Sequence, residues 1–194
     1  YYERGVLHSF MDQPDLARSD LEQASKLAPG SNISYLAAAQ KGMVDGNIPA
    51  AIQAAREGIQ KDPNNYILLT ILGHALIRSG VGPSQPEFAE AQTALERAVA
   101  ERPNFAASQL ALGQLYLMAR RLDDAVTRLD TARRLAPENK SAYSHLAMAY
   151  QRQGKLQEAQ KMLAILDRLN QEQAARYKSG PPDQKASYTG APVK

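Results

Sequence analysis

The sequence predicts an all-α fold, a stack of short antiparallel helix pairs running most of the length of the chain. Three observations carry that prediction. Pro29, Pro63, Pro103 and Pro137 recur about 34 or about 40 residues apart, and self-similarity at such a period marks a tandem array. Between one proline and the next, apolar residues recur at helical spacing, with a single break near the middle. Alanine and glycine recur where the two helices of a pair would touch, as close packing requires.

The units follow in order. Tyr1 to about Ser31 begins part-way into its first helix and carries Gly5, Ala17, Leu21, Ala24, Leu27 and Pro29. Asn32 to Asn65 carries Tyr35, Ala39, Gly46, Ile48, Ala51, Gly58 and Pro63. Gly42 sits there where neighbouring units place a large residue. Glycine inside a helix costs about 0.5–1 kcal/mol relative to alanine, so this helix is expected to be the most mobile in the middle of the array. Tyr66 to Phe105 places Leu69, Leu72, Gly73 and Leu76 on its first helix and turns at Gly80. Its second helix holds Phe88, Ala91, Leu95, Ala98 and Pro103. An insertion from Val81 to Pro86 lengthens the connection, at small cost because closure entropy grows only logarithmically with loop length.

Ala106 to Asn139 is the clearest unit. Leu112, Gly113 and Tyr116 lie on its first helix, and Ala125, Leu129, Ala132 and Leu135 on its second, which Pro137 stops. Lys140 to about Gln173 repeats the grammar with Tyr143, Leu146, Ala147 and Tyr150, a turn at Gly154, then Leu156, Ala159 and Leu163. The polar run from Asn170 to Arg176 suits a continued helix that caps the array in water, reaching about Lys178. Ser179 to Pro182 then breaks it, and residues 179–194 read as a polar flexible tail. The sharper expectation for that tail is that Tyr188 lies back on the array as an occupant or a brake.

These residues resemble the tetratricopeptide repeat family, whose 34-residue pattern has a tryptophan, a Leu-Gly pair, a tyrosine, two alanines and a proline. The likeness covers about Tyr1 to Gln173 in about five units, and the array with its cap is read as one unit over residues 1–178. No unit has the tryptophan; Tyr1, Leu69, Gln109, Tyr35 and Tyr143 stand in its place. The wording of the repeats is similar to that of bacterial members. The resemblance implies a right-handed superhelix, concave inside, that binds protein or peptide partners on the face lined by the first helix of each pair.

Projected on these helices, that face presents Leu36, Gln40 and Met43 in the second unit and Thr70, His74 and Ile77 in the third. It presents Leu110, Gln114 and Leu117 in the fourth, and Ser144, Met148 and Gln151 in the fifth. The stripe is mainly apolar, so it suits an extended or helical peptide, with Gln40, His74 and Gln114 bonding its amides. Some members of the family clamp a C-terminal carboxylate with Lys, Asn and Arg. Tyr2, Val6, Ala37, Ile67 and Ile71 stand at the corresponding positions, so the resemblance implies no such clamp.

Composition narrows the function classes. The net charge is +3, and the densest basic stretch, Arg120, Arg121, Arg128, Arg133 and Arg134, is interrupted by Asp123, Asp124 and Asp130. Alternating signs at helical spacing read as a paired, solvated face, and no nucleic-acid partner is expected. There is no cysteine, hence no disulfide and no thiol chemistry, and the compartment stays open between cytoplasm and periplasm. The longest apolar run, near Ile67 to Ile77, is too short to span a membrane, and no membrane insertion is expected. His8, His74 and His145 fall on three different units without metal-ligand spacing, and no nucleophile or phosphate-loop motif occurs. Neither enzyme activity nor a cofactor or metal is expected. Asn32-Ile-Ser and Asn139-Lys-Ser fit the glycosylation triplet but read as helix caps at unit junctions.

The functional expectation is therefore a protein-interaction module or adaptor holding a mainly apolar peptide or helix. The alternative is a non-catalytic structural or regulatory arm of a longer enzyme or of a secretion or assembly protein. The chain opens at Tyr1 inside a repeat and without methionine, which points to a piece of a longer precursor. A third expectation is self-association through the exposed side of the truncated first helix.

Overall fold

The computed structural model describes residues 1–179. Among the described residues there are ten α-helices and no strand. They are α1 (Tyr2–Phe10), α2 (Pro14–Leu27), α3 (Asn32–Val44), α4 (Ile48–Lys61) and α5 (Tyr66–Arg78), then α6 (Pro86–Glu101), α7 (Ala106–Met118), α8 (Leu122–Leu135), α9 (Lys140–Arg152) and α10 (Leu156–Ser179). Each helix packs on the next, and the first helices of successive pairs also touch, α1 on α3, α3 on α5, α5 on α7 and α7 on α9. Among the described residues no helices further apart in sequence pack together. That pattern of neighbours makes the fold a solenoid and rules out a single closed core.

The local signals that start and stop these helices are visible one by one. The side chains of Ser31, Asn47, Asn65 and Asn139 each accept a backbone N–H in the first turn of the helix they precede. Asn139 thus caps α9 as expected. Asn32 does not cap α3; Ser31 does, and the Asn32 amide donates instead to Asp62 at 2.9 Å. The turn after the first helix of each pair needs a left-handed residue. Gly46, Gly80 and Gly154 supply it in three pairs, and Asp12 (φ 57°) and Arg120 (φ 59°) in the other two.

Packing is densest in the middle. Leu68, Leu69 and Leu76 on α5, Leu95 on α6, Leu112 and Leu115 on α7, Leu129 on α8 and Leu146 on α9 are all fully buried. The helices α5 and α7 are covered on nearly every side, because each is flanked by two first helices and two second helices. Glycine permits the closest approaches. A Cβ on Gly73 would come within 2.7 Å of Leu95 Cδ2, and one on Gly42 within 2.7 Å of the Ala51 backbone nitrogen. Gly42 is therefore where α4 lies directly against α3, a packing reason that the helix-propensity argument for a mobile α3 left out.

Polar ties one repeat apart hold successive pairs in register. Arg18 meets Asp45 at 2.7 Å, Arg56 grips Glu90 with two N–H groups, and Gln153 donates to Asp123. Arg78 donates to the Met43 carbonyl and Arg152 to the Leu117 carbonyl, each an end-of-helix oxygen of the preceding first helix. At two positions where the family has tryptophan, Gln109 donates to the Pro103 carbonyl and Tyr143 to the Pro137 carbonyl. The basic stretch is largely paired, Arg121 with Asp124 and both Arg133 and Arg134 with Asp130.

At the C-terminal end α10 runs unbroken for 24 residues, so the cap is a continuation of the fifth pair's second helix. At the other end, α1 leaves Leu7, Phe10 and Met11 exposed, the surface on which the expected self-association rests. The tail expectation, with Tyr188, lies outside the described residues.

Candidate functional site

The side-by-side contacts of α3, α5, α7 and α9 build the face that the sequence marked out. The structure divides its twelve residues into two layers. Leu36, Thr70, Ile77 and Leu117 are buried, between 3% and 7% exposed, and act first as packing between adjacent first helices. The Thr70 hydroxyl is already spent on the Tyr66 carbonyl at 2.6 Å, so it has no proton to offer a ligand. Gln40, Met43, Leu110 and Gln114 are half-buried, and His74, Ser144, Met148 and Gln151 are exposed. Of the residues at the clamp positions, Ala37 is fully buried and Ile71 nearly so, and the Tyr2 phenol is the one polar side chain among them.

Two titratable groups report how enclosed this face is. Tyr2, half-buried at the N-terminal end of the face, is pushed up to about 12, first by burial and then by the Tyr66 phenol. His74 reaches water at its edge yet is crowded by protein on its other sides. That desolvation, with the Arg78 charge as a second cause, lowers it below the ordinary imidazole value. The ring is therefore neutral near pH 7.

The face opens into a hollow of about 720 Å³ between α7 and α9. Its apolar lining is Leu117, Met118, Leu122 and Met148. Gln114 and His145 add polar edges, and the ring Nδ1 of His145 lies 2.7 Å from the Ser141 carbonyl, which fixes that nitrogen as a donor. Arg120 and Arg152 border the hollow, and Pro83 closes it from the loop between α5 and α6. Three residues of the projected stripe, Gln114, Leu117 and Met148, therefore meet in one cavity. The remaining nine lie along the face outside it.

Sequence reasoning missed Pro83, Met118, Arg120, Leu122, His145 and Arg152. Two of these left a signal. Pro83 sits in the insertion that lengthens the connection between α5 and α6. Arg120 occupies the turn position where three other pairs have glycine.

The family's sequence profiles match almost the whole described chain. "Psidin, N-terminal TPR repeats region" matches residues 42–177, and "Tetratricopeptide repeat" matches residues 2–66. The chain belongs to the tetratricopeptide repeat family. Solved structures agree on the fold. A crystal structure of MamA superposes with a TM-score of 0.64 at 22% identity, covering 90% of this chain and 99% of that one. A thermophilic tetratricopeptide repeat protein of Thermus thermophilus superposes with a TM-score of 0.70 at 20% identity, covering 96% and 94%. In sequence, the chain is 34% identical over 112 residues to bacteriophage adsorption protein A of Escherichia coli strain K12. That match takes in 58% of this chain and only 10% of the relative, so the chain spans about a tenth of that protein's length.

The tetratricopeptide fold supports a role in protein–protein interaction, and proteins of this family are generally non-catalytic scaffolds. Among the described residues there is no group of three or more His, Asp or Glu side chains placed to hold a metal ion. No helix among them is long and apolar enough to cross a membrane.

Proposed function

We propose that the chain is an interaction module that holds a mainly apolar peptide or partner helix along the concave face from α3 to α9. The observation that carries this reading is the hollow between α7 and α9, where Leu117, Met118, Leu122 and Met148 gather around an opening to solvent. Apolar side chains would supply affinity there, and the methionines adapt to the shape of what enters. Gln40, His74 and Gln114 would fix the register of the bound backbone. The buried members of the stripe, Leu36, Thr70, Ile77 and Leu117, form the floor that carries the contact residues.

A second reading is an arm of a longer protein whose chemistry lies elsewhere. It is supported by the likeness to bacteriophage adsorption protein A, which this chain matches over only a tenth of its length. Both readings use the same face.

Met148 is 40% exposed, so it can be changed without opening the core. Peptides selected from a random library on the full chain should lose most of their affinity for Met148→Asp, by about tenfold or more, while the circular dichroism of the helices stays unchanged. Undiminished binding to that variant would place the ligand on another surface.

A further inference from the structure

The hollow carries charge that its own walls do not neutralise. Arg120 and Arg152 both border it, and none of its lining residues is acidic. Nearby arginines are engaged, Arg121 with Asp124 and Arg133 and Arg134 with Asp130. Arg120 has no ion pair and no side-chain hydrogen bond among the described residues. Arg152 uses one N–H on the Leu117 carbonyl at 3.0 Å, which anchors the guanidinium at the cavity edge and leaves the rest of its donors for another group.

Arg120 is also held in an unfavourable backbone conformation. Its φ is 59°, in the left-handed region where the equivalent turns after α3, α5 and α9 use Gly46, Gly80 and Gly154. A side chain there costs folding free energy that glycine would not. Asp12 holds the same conformation after α1 (φ 57°), so what points to a ligand at Arg120 is a charged group at a cavity edge that nothing in the fold employs.

We infer that the hollow between α7 and α9 recognises an acidic segment of a protein partner. A large apolar side chain of that segment sits on Leu117, Met118 and Met148, and an adjacent Asp or Glu carboxylate is held between Arg120 and Arg152. Guanidinium groups suit this because their planar N–H forks match a carboxylate. A nucleic acid fits less well, since the hollow presents no Phe, Tyr or Trp side chain on which bases could stack. The inference rests on the concave-face reading above and adds the chemistry of the occupant.

The test uses a peptide array in which each apolar sequence is made twice, once with Glu and once with Gln, probed with the full chain, Arg120→Gly, Arg152→Gln and Met148→Asp. The Glu member of the best pairs should bind about tenfold more tightly at low salt, and the advantage should shrink as salt is raised. Arg120→Gly should remove most of that advantage while the thermal midpoint holds or rises, because glycine relieves the turn. Arg152→Gln should weaken the same peptides. If Glu and Gln members bind equally and both are lost on Met148→Asp, the acidic preference is wrong and the groove stands. If binding ignores Met148→Asp, both readings fall. Equal competition by a polyanion such as heparin, or a lowered midpoint for Arg120→Gly, also overturns the inference.

Discussion

Leu95→Ala should lower the stability of the array by about 4 kcal/mol, measured by urea denaturation, with fast amide exchange appearing first in α5 and α6. Leu95 is fully buried and its branched end lies over Gly73, which has no side chain to move into the space. A cavity that cannot collapse puts the cost near the upper part of the range for such truncations. The pair makes a second expectation. Gly73→Ala alone should destabilise by about 1–3 kcal/mol, because its new Cβ would meet the Leu95 side chain near its branch point. In the double variant the added methyl occupies part of the vacated volume, so the combined loss should be smaller than the sum of the two. Simple additivity would mean that the close approach of α5 and α6 is not as described.

Gly42→Ala should behave differently. The methyl would come within 2.7 Å of the Ala51 nitrogen and 2.9 Å of its Cα, and backbone cannot swing aside as a leucine can. Separating α3 from α4 should cost about 2–3 kcal/mol, outweighing the gain of about 1 kcal/mol that alanine brings to a helix interior. Trimming the partner should not rescue it, since Ala51→Gly removes only the Cβ and leaves both backbone contacts in place. A stabilised Gly42→Ala variant would show that helix propensity dominates at this position.

This glycine shows where sequence reasoning stops. Gly113 and Gly73 were legible as close-packing sites because they recur at one place in the repeat. Gly42 stands one helical turn away from that place, and only the arrangement of α4 reveals that it serves the same purpose. The repeats themselves, the helix order and the insertion after α5 were legible because each depends on local chemistry: proline stops, glycine turns and the spacing of small residues. The face was legible as a set of helix positions, but not its depth. Leu117 and Met148 project from one surface, yet Leu117 is 3% exposed and Met148 40%. The helix α7 has a first helix on either side, α5 and α9, whereas among the described residues α9 has only α7, so the face residues of the last unit stay open to water. The cationic rim was hidden for a related reason. Arg120 was counted with a run of arginines along the sequence, while the fold turns it away from their acidic partners and toward the cavity.

The proposed partner segment lies on the concave face at the hollow between α7 and α9. The chain has five methionines, which makes their methyl NMR signals a direct map of occupancy. Met118 and Met148 line the hollow, while Met11 lies on the exposed side at the opposite end, beside α1. On saturation with a tight peptide from the library, the account predicts shifts for Met118 and Met148 and an unmoved Met11. Shifts at Met11 with Met118 and Met148 unchanged would contradict it.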